Sequence, residues 1–531
     1  MATHRELLAG SLAELKKLQD EGRNVLASSE LSPTHRARLL KSGFLREIIR
    51  GWYRISHPDE EEGDTTPWQA HWREFVARYA SSRFGDNWYL SPELSLLEQT
   101  ASPHGNRQAV IHAKGGHNNV VTTRIGWSLV DIQAKDPAPA QEIESRNGLR
   151  VLSTAYALTQ VSEPFFRTCK PAAQAALALL PDVSDIARTL LASGKTIVAG
   201  RLVGALRALG REREARELLE AMKAAGHRIT ETNPFDSPPA IVDPAIKRSP
   251  YIYRVHEMWS RMRDTVIREF PPVPGIPRNA QAYLDDIDAR YVADAYHSLS
   301  IEGYAVTEGL IEKVRGGKWN PDNEQDRKSR DALAAKGYSI AHGAVRKSIG
   351  RILAGENPGS VLRDDHAGWN RALWTPSLTA GIIRPEDLAG YRNGPVFIRN
   401  ASHVPPPRAG VRDAMPAFFD LLEKEEHAAA RAVLGHFIFV FIHPYLDGNG
   451  RLGRFIMNAM LASGGYPWTV VRVERRSPYM AALDEASCKG DIRPFAAFVA
   501  REVARQTVAD HPSKKASKQG KRVRPGRRGN P

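Results

Sequence analysis

Twelve consecutive residues, HPYLDGNGRLGR from His443 to Arg454, combine side chains and glycines that phosphate chemistry commonly uses. The histidine titrates near neutrality, so it is suited to take a proton from an attacking hydroxyl as a general base. Gly448 and Gly450 flank Asn449 and free the backbone for a turn whose successive amides bind an anion. The segment therefore predicts a site for a phosphorylated ligand.

The charged residues of this segment indicate which ligand it binds. Arg451 and Arg454 are three positions apart, so we expect both to point toward the glycine turn from the first turn of a helix. Two arginines and a nest of amides hold several phosphate oxygens, which favours a nucleoside triphosphate over a single phosphate. Asp447 is the one acid beside them, and a carboxylate next to phosphates is best explained as a ligand of Mg²⁺.

Two helices are predicted to hold this segment in place. Residues 432–441 are almost entirely apolar, as in a helix buried on every side, and Pro444 ends that helix. Residues 455–461 are again apolar and indicate a second helix. The glycine turn then enters a helix N-terminus, where the helix dipole favours negative charge.

The twelve residues resemble the signature of the Fic family, HPFx(D/E)GNGRxxR, with Tyr445 in place of the usual phenylalanine. The resemblance extends over about residues 285–505. It implies an all-helical domain with a small β-hairpin flap, and a mainly α fold for the chain. It also implies an enzyme that moves AMP from ATP to a Ser, Thr or Tyr hydroxyl of a protein target, which includes the chain itself as a candidate.

The resemblance implies a role for each residue of the signature. His443 is the general base and Asp447 holds Mg²⁺. The residues of the glycine turn form the anion hole for the α- and β-phosphates with help from Arg451, and they are Gly448, Asn449 and Gly450. Arg454 holds the γ-phosphate.

Outside the signature, the resemblance implies a flap and a base pocket. Ile398, His403 and Val404 belong to an edge strand onto which the extended backbone of a target adds. Tyr479 flanks the adenine. Ser487 lies where relatives often have an asparagine at the base, so the choice of base stays open.

A second motif of this family lies far upstream, where Ser298, Glu302 and Gly303 match (S/T)xxxE(G/N). A glutamate at this place can pair bidentately with Arg454 and occupy the group that orients the γ-phosphate. The resemblance therefore implies an inhibitory helix near residues 292–304 and an enzyme that restrains itself.

The N-terminal segment, about residues 5–57, shows three short helical patterns followed by a basic hairpin pattern. This order predicts a winged helix-turn-helix whose third helix presents His35, Arg36 and Arg38 to a DNA groove. The segment resembles the winged-helix domain of AbiEi-type antitoxins, and the resemblance continues more weakly to about residue 235. It implies DNA binding and a link to toxin–antitoxin systems.

These patterns divide the chain into five parts. We predict the following parts: a winged helix-turn-helix at 1–60, an α+β middle domain at 61–235, a proline-rich linker at 236–280, the Fic domain at 281–510 and a disordered tail at 511–531. The net charge is +14, and the tail carries basic residues with no acid among them. The tail is therefore a second candidate for contact with a nucleic acid.

Composition excludes several classes of protein. No apolar run approaches the ~18–20 residues of a membrane helix, and the N-terminus has no apolar signal-peptide core. Cys169 and Cys488 are the two cysteines and form no zinc spacing, so a disulfide framework is excluded and a cytoplasmic location is expected.

Several alternatives stay open at this point. The chain is also consistent with a DNA-binding transcriptional regulator whose Fic domain senses a nucleotide. Within the family, a different donor or removal of AMP by the same site is the other alternative, because a glutamate beside Arg454 can position a water. The sequence does not identify the target protein or the DNA operator. It also does not determine the oligomeric state, for which a homodimer is one alternative.

Overall fold

A computed structural model of the chain describes residues 3–60, 66–102, 108–236, 249–317, 329–399 and 401–510. The predicted mainly α architecture is confirmed, and the strands of the described residues all lie between Val25 and Leu152. The helices up to residue 224 are α1 His4–Asp20, α2 Pro33–Lys41, α3 Thr66–Phe84, α4 Pro92–Gln99, α5 Thr154–Gln160, α6 Glu163–Thr168, α7 Lys170–Leu179, α8 Ser184–Ser193, α9 Thr196–Ala208 and α10 Glu212–Ala224. The remaining helices are α11 Pro250–Glu269, α12 Ala280–Ile301, α13 Glu308–Arg315, α14 Arg330–Leu353, α15 Pro358–Thr379, α16 Arg408–Lys424, α17 Ala428–Ile442, α18 Asn449–Ala462, α19 Arg476–Lys489 and α20 Arg493–Asp510.

Residues 3–55 fold into helices and a small sheet in the predicted order. The strands are β1 Val25–Ala27, β2 Leu45–Ile49 and β3 Trp52–Ile55, arranged antiparallel in the order β1-β3-β2. The second predicted helix is a single 3-10 turn over Ser28–Glu30. Val25 and Ile48 are buried in the core of the following region, so this unit shares packing with its neighbour.

The middle region contains a four-stranded mixed sheet. Its strands are β4 Trp88–Leu90, β5 Gln108–Ala113, β6 Val120–Thr122 and β7 Ser128–Gln133, in the order β4-β5-β7-β6 with β5 and β7 parallel. A separate hairpin joins β8 Ile143–Arg146 to β9 Leu149–Leu152. Helices α3 to α10 supply most of the remaining core.

The predicted linker at 236–280 is wrong over its central part, where α11 runs for 20 residues. Prolines at both sides of this segment suggested extended chain, but the residues between them carry a helical apolar face. Val255, Met258, Met262 and Val266 on that face are buried in the same core as the C-terminal helices. Helix α11 is therefore a structural part of the C-terminal region.

The C-terminal region packs around α17 and α18, which are buried along almost their whole length. Helix α17 has an apolar residue at nearly every position, as the sequence predicted for a helix enclosed on all sides. Helix α12 extends well before the predicted residue 292 and ends at Ile301, with Glu302 as its C-cap and Gly303 in a left-handed conformation at φ 84°.

The flap differs from the prediction, because none of residues 394–399 and 401–407 forms a strand. The expected β-hairpin and edge strand at Ile398, His403 and Val404 are wrong for these residues. Pro405 and its two successors lack the N–H that a strand ladder needs, and the Ala401 N–H closes a turn on the Ile398 carbonyl. The predicted tail at 511–531 lies outside the described residues. Among those that are described, no helix is both long and apolar enough to cross a membrane.

Candidate functional site

His443 follows the last residue of α17 and has the left-handed backbone angles φ 52° and ψ 60°. This conformation turns the chain sharply between α17 and the next segment. Its Nδ1 lies 3.1 Å from the carbonyl of Val440, an arrangement that fixes a proton on Nδ1 and leaves Nε2 as the acceptor. Burial, together with the charge of Arg392, lowers the pKa of His443 to about 4. The imidazole is therefore neutral at pH 7 and competent as a base.

The glycine turn enters α18 as the sequence predicted. Gly448 is the N-cap of α18 at φ 86°, and Asn449 begins the helix. The Asn449 side chain accepts from the Tyr445 N–H at 3.0 Å and donates to its carbonyl at 2.8 Å, which closes the loop on itself. Asp447 accepts from the Gly448 N–H, and its side chain is 62% exposed. The amides at the start of α18 thus form a fixed cradle with one accessible carboxylate at its edge.

Arg454 is paired with the end of α12. Its Nε donates to the Ser298 hydroxyl at 2.8 Å, and Nη2 donates to the Ser298 carbonyl at 3.0 Å and to Glu302 Oε1 at 2.7 Å. A Cβ added at Gly450 would overlap Glu302 Oε1, so the carboxylate lies directly against the glycine turn. Glu302 therefore meets Arg454 as predicted, but through one carboxylate oxygen and not bidentately, and the two Ser298 contacts with Arg454 were not predicted.

The electrostatics of this contact keep both groups charged. Burial raises the pKa of Glu302, but the charges of Arg454 and Arg451 lower it by more, so the pKa lies below its usual value. Burial lowers the pKa of Arg454, but the opposing contributions together, of which the charge of Glu302 is the largest, leave that pKa above its usual value. The Arg454 side chain is 4% exposed and the Glu302 side chain is 28% exposed, so the pair is accessible from the carboxylate side.

Arg451 and Arg454 both reach the glycine turn, as the sequence predicted, but at different glycines. Nη2 of Arg451 lies 3.5 Å from the position of a Cβ at Gly448, and Nη1 of Arg454 lies 3.4 Å from that of a Cβ at Gly450. The guanidinium carbon of Arg451 lies over the rings of Tyr304 and Trp374, at 5.3 Å and 4.9 Å from their centroids. The side chain is 1% exposed, and its closest carboxylate is Asp447 at 3.8 Å. Arg451 therefore adds positive charge beneath the turn, while Arg454 lies on the Gly450 side.

Arg392 is a part of the site that the sequence analysis missed. Its Nε donates to the carbonyl of His443 at 2.7 Å, and its backbone N–H donates to the carbonyl of Pro444 at 2.9 Å. The two Nη atoms donate to the carbonyls of Gly394 and Pro406 in the flap. No motif marks this arginine, since its partners are backbone carbonyls that become neighbours only in the folded chain.

Comparison with known proteins fits this geometry. Residues 370–461 match the model of the Fic/DOC family, a stretch that includes the whole signature and the two helices around it. The chain contains a Fic domain. A protein adenylyltransferase Fic of Nematostella vectensis is 28% identical over 279 residues, which cover 52% of this chain and 60% of that protein. A protein adenylyltransferase Fic of Drosophila grimshawi is 30% identical over 214 residues, which cover 40% of this chain and 41% of that protein.

The chain thus spans less than two thirds of the length of these relatives. Among solved structures, the Fic-1 fragment from C. elegans aligns with 65% of this chain and 98% of its own, at a TM-score of 0.36 and 19% identity. A Fic domain protein of Bacteroides thetaiotaomicron aligns with 48% of this chain, at a TM-score of 0.35 and 18% identity.

The flap of the Fic domain is held by side chains in place of strand pairing. His403 is buried, its Nε2 lies 2.8 Å from the Phe441 carbonyl, and its ring stacks on that of Phe441. The Ser402 N–H donates to Asp484 at 2.9 Å, and Gln69 from the middle region donates to the Ala401 carbonyl at 2.9 Å. His403 is thus an anchor of the flap, which leaves Ile398 and Val404 as the partly exposed members of the predicted set.

Tyr479 lies deeper than a base-stacking residue would. It is 2% exposed, and its hydroxyl lies 2.7 Å from Nε2 of His436. Its ring also packs beside those of Phe495 and Phe498. Tyr479 therefore packs between the signature helix region and the C-terminal helix, against His436, Phe495 and Phe498.

The three residues expected to contact DNA are engaged within the protein. His35 Nδ1 lies 2.9 Å from the Ser11 hydroxyl, and Arg38 reaches the carbonyl of Leu7 at 3.4 Å. Arg36 donates to the carbonyl of Ser28 at 2.6 Å and lies over the ring of Tyr53. These contacts join α2 to α1 and to the sheet. The exposed basic residues of this unit are elsewhere, and they include Lys41 at the end of α2 and Arg50 in the hairpin turn.

Proposed function

We propose that this chain is a protein adenylyltransferase, which transfers AMP from ATP to a Ser, Thr or Tyr hydroxyl of a protein, and which restrains itself through Glu302. The observation that carries the proposal is the Glu302–Arg454 pair beside the glycine turn. A buried arginine next to an amide cradle is suited to a terminal phosphate, and here a carboxylate holds it. The adenylyltransferase relatives support the reaction class.

The chemistry of the transfer follows from the groups around the cradle. The target hydroxyl oxygen attacks the α-phosphorus of ATP, and Nε2 of His443 takes the hydroxyl proton. The bond from the α-phosphorus to the bridging oxygen breaks, and pyrophosphate leaves with that oxygen. The amides of the Gly448–Gly450 turn stabilise the charge on the α- and β-phosphates, and the buried charge of Arg451 adds to this potential. Arg454, once freed from Glu302, holds the γ-phosphate.

Mg²⁺ fits the residues present. Asp447 lies at the edge of the cradle, where its side chain is 62% exposed and its Oδ1 accepts from the Gly448 N–H. Within the described residues no group of three or more His, Cys, Asp or Glu side chains is arranged to hold a metal, so the ion would rely on this carboxylate, phosphate oxygens and water. When bound, the ion neutralises phosphate charge and fixes the triphosphate.

The decisive experiment compares self-labelling by α-labelled ATP in the wild-type chain and in Glu302→Gly. A charged hydrogen bond contributes ~1.5–3 kcal/mol, so the release of Arg454 is expected to raise labelling roughly 10- to 150-fold. Glu302→Gln is the matched control, because it keeps the size of the side chain and removes only its charge. Equal labelling by all three proteins would refute the restraint, and no labelling by any of them, with or without an added protein target, would refute the transferase.

A second function, DNA binding by the N-terminal unit, is proposed on its element order of helices and a basic hairpin. The contact residues differ from those expected, because His35, Arg36 and Arg38 have partners within the protein. The exposed charges of Lys41 and Arg50 are the candidates for phosphate contacts.

A further inference from the structure

A cavity of about 220 Å³ lies between the middle region and the flap. Helix α3, the end of α4 and the start of α11 line it, together with Val396, Phe397 and Val404 of the flap. No residue of the signature from His443 to Arg454 is among the described residues of its wall. The cavity is therefore separate from the residues proposed to bind the nucleotide and the metal.

The charged residues of the described wall are Arg73, Glu98 and Arg254. Arg73 donates from Nε and Nη2 to the two carboxylate oxygens of Glu98, at 3.2 Å and 2.8 Å, so this pair adds no net charge. Arg254 is 8% exposed, and its Nε and Nη2 have no hydrogen-bond partner among the described residues. The wall therefore carries a buried positive charge whose hydrogen bonds are unused.

The unused edge of Arg254 is the edge that holds a carboxylate elsewhere in this chain. Arg73 binds Glu98 through Nε and Nη2, and Arg263 binds Glu425 through the same two atoms, at 2.7 Å and 2.9 Å. A buried guanidinium edge without partners is costly, and one carboxylate would satisfy both atoms at once. Arg254 thus presents a fork of the right shape for a carboxylate ligand.

The charged neighbours of Arg254 on its own helix do not supply these hydrogen bonds. Burial lowers the pKa of Arg254, and the nearby charge of Glu257 raises it by less. Glu257 accepts from Nε of Arg261 at 2.5 Å, and its Oε2 is buried without a partner among the described residues. Glu257 therefore does not occupy the fork of Arg254, which stays available to a ligand.

A second polar group in the wall has an unused atom. Nε2 of Gln69 donates to the Ala401 carbonyl at 2.9 Å, but its buried Oε1 accepts no hydrogen bond from the described residues. The rest of the wall is mostly apolar and includes Leu97, Val255 and Phe397. A mostly apolar cavity with a few polar groups that lack partners is typical of a small-molecule site.

We propose that this cavity binds a small organic carboxylate with an apolar body and a hydrogen-bond donor. The carboxylate accepts two parallel hydrogen bonds from Nε and Nη2 of Arg254. The apolar body covers the apolar wall, and the donor satisfies Oε1 of Gln69. Because the flap forms part of the wall, the ligand contacts the flap from the side of α3 and α11.

The test is calorimetric titration of the full chain with para-hydroxyphenylacetate, which carries a carboxylate, a ring and a hydroxyl donor. The comparisons are para-hydroxyphenylacetamide and inorganic phosphate, and no nucleotide is added, so the result does not depend on the proposed transfer of AMP. The neutral amide should bind roughly 10- to 150-fold more weakly, which corresponds to the ~1.5–3 kcal/mol of a charged hydrogen bond. Inorganic phosphate should also bind more weakly, because it leaves the apolar wall uncovered.

Variants of Arg254 test the fork. Arg254→Met removes the guanidinium and keeps a long side chain, and Arg254→Lys keeps the charge without the fork, so each should weaken binding of the carboxylate at least about tenfold. Arg268→Met is the matched control, because Arg268 is exposed on the same helix and should leave binding unchanged.

A variant at the edge of the cavity locates the ligand independently of the charge. Ala70 is exposed and lines the cavity, so Ala70→Trp should block it and abolish binding. Ser82→Trp, also at an exposed position of α3 but outside this wall, should leave binding unchanged. The melting temperature of each variant confirms that it folds, and a folded variant at either position suffices for the test.

Three outcomes would overturn the proposal. The first is no binding of para-hydroxyphenylacetate at millimolar concentration. The second is equal affinity for the acetate and the acetamide, or for inorganic phosphate. The third is unchanged affinity in a folded variant of Arg254 or in folded Ala70→Trp, which would place the carboxylate elsewhere on the protein.

Discussion

The guanidinium of Arg392 donates to the carbonyl of His443 at 2.7 Å and to the carbonyls of Gly394 and Pro406 in the flap. One side chain thus ties the loop that carries the proposed base to the segment proposed to receive the target. All of its partners are backbone carbonyls, so the contact sets the position of these segments without depending on the side chains there. Arg392 is therefore a positioning residue for the proposed transfer.

Replacement of Arg392 by lysine keeps the charge but removes the fork that reaches several carbonyls. Misplacement of a reacting group by about 1 Å costs roughly 100-fold in rate, so kcat of the Glu302→Gly enzyme should fall by about that factor. KM for ATP should stay unchanged, because the amide cradle is not touched. The neighbouring surface residue Arg412 offers a control, and Arg412→Lys should leave both constants as they were. A rise in KM for ATP with no change in kcat would contradict the positioning role.

His443→Ala should abolish labelling in the Glu302→Gly background while leaving ATP affinity nearly intact. General base catalysis contributes about 100- to 10,000-fold, so the residual labelling measures what the cradle achieves alone. Nucleotide affinity is measured by calorimetry and labelling by α-labelled ATP. Undiminished labelling would show that another group takes the proton.

Glu302→Gly combined with Arg454→Ala should be nearly as silent as the wild type. If the gain in Glu302→Gly comes from the freed arginine, removal of that arginine cancels the gain. Substitution of both partners also removes the concern of an unpaired buried charge. Labelling by the double variant at the level of Glu302→Gly would mean that the glutamate acts by another route.

The rate of transfer should change little between pH 8 and about pH 5, although an ordinary histidine becomes protonated within this range. A base works only when it is neutral, and burial lowers the pKa of His443 to about 4 from 6.5. In Glu302→Gly, kcat/KM should therefore stay flat from pH 8 to about pH 5 and fall below that. The measurement is a pH profile of initial labelling rates, with stability checked at each pH. A midpoint near 6.5 would contradict the structure around His443.

The full chain should bind duplex DNA with a steep dependence on salt, and Lys41→Glu with Arg50→Glu should weaken it. Loss of two phosphate contacts should reduce the slope of log K against log salt by about 2. Lys223→Glu, an exposed change in the middle region, is the control for net charge. The full chain is needed, because Val25 and Ile48 of the N-terminal unit are buried in the next core. If Lys223→Glu weakens DNA binding as much, the loss of affinity comes from net charge and not from contacts of Lys41 and Arg50.

The sequence predicted the parts of the site that lie close together in the chain. His443, Asp447 and the glycine turn follow one another, so their order already determines a helix end, a loop and a helix start. The contact of Glu302 with Arg454 was also predicted, but only because a second motif marked the distant glutamate. The nearly continuous apolar runs on both sides of the signature likewise predicted α17 and α18 correctly.

The remaining errors have a common physical origin in contacts between distant segments. Arg392 has only backbone carbonyls as partners, and such partners leave no trace in residue types. The packing of Arg451 against Tyr304 and Trp374 was not predicted, because Tyr304 follows the end of α12 and Trp374 lies in α15, both far from Arg451 in the sequence. Helix α11 was taken for a linker, because prolines flank it and its buried face contacts helices far along the chain.

The left-handed backbone of His443 lowers the stability of the fold, and this effect can be measured separately from the role of the imidazole. A residue with a Cβ at φ 52° is disfavoured by about 1–2 kcal/mol, and glycine avoids that cost. His443→Gly should therefore unfold at a higher temperature than His443→Ala, although both lack the imidazole. Variants selected only for thermal stability will then tend to accumulate glycine at this position. The active loop of this chain is thus most readily lost under selection that rewards stability and ignores catalysis.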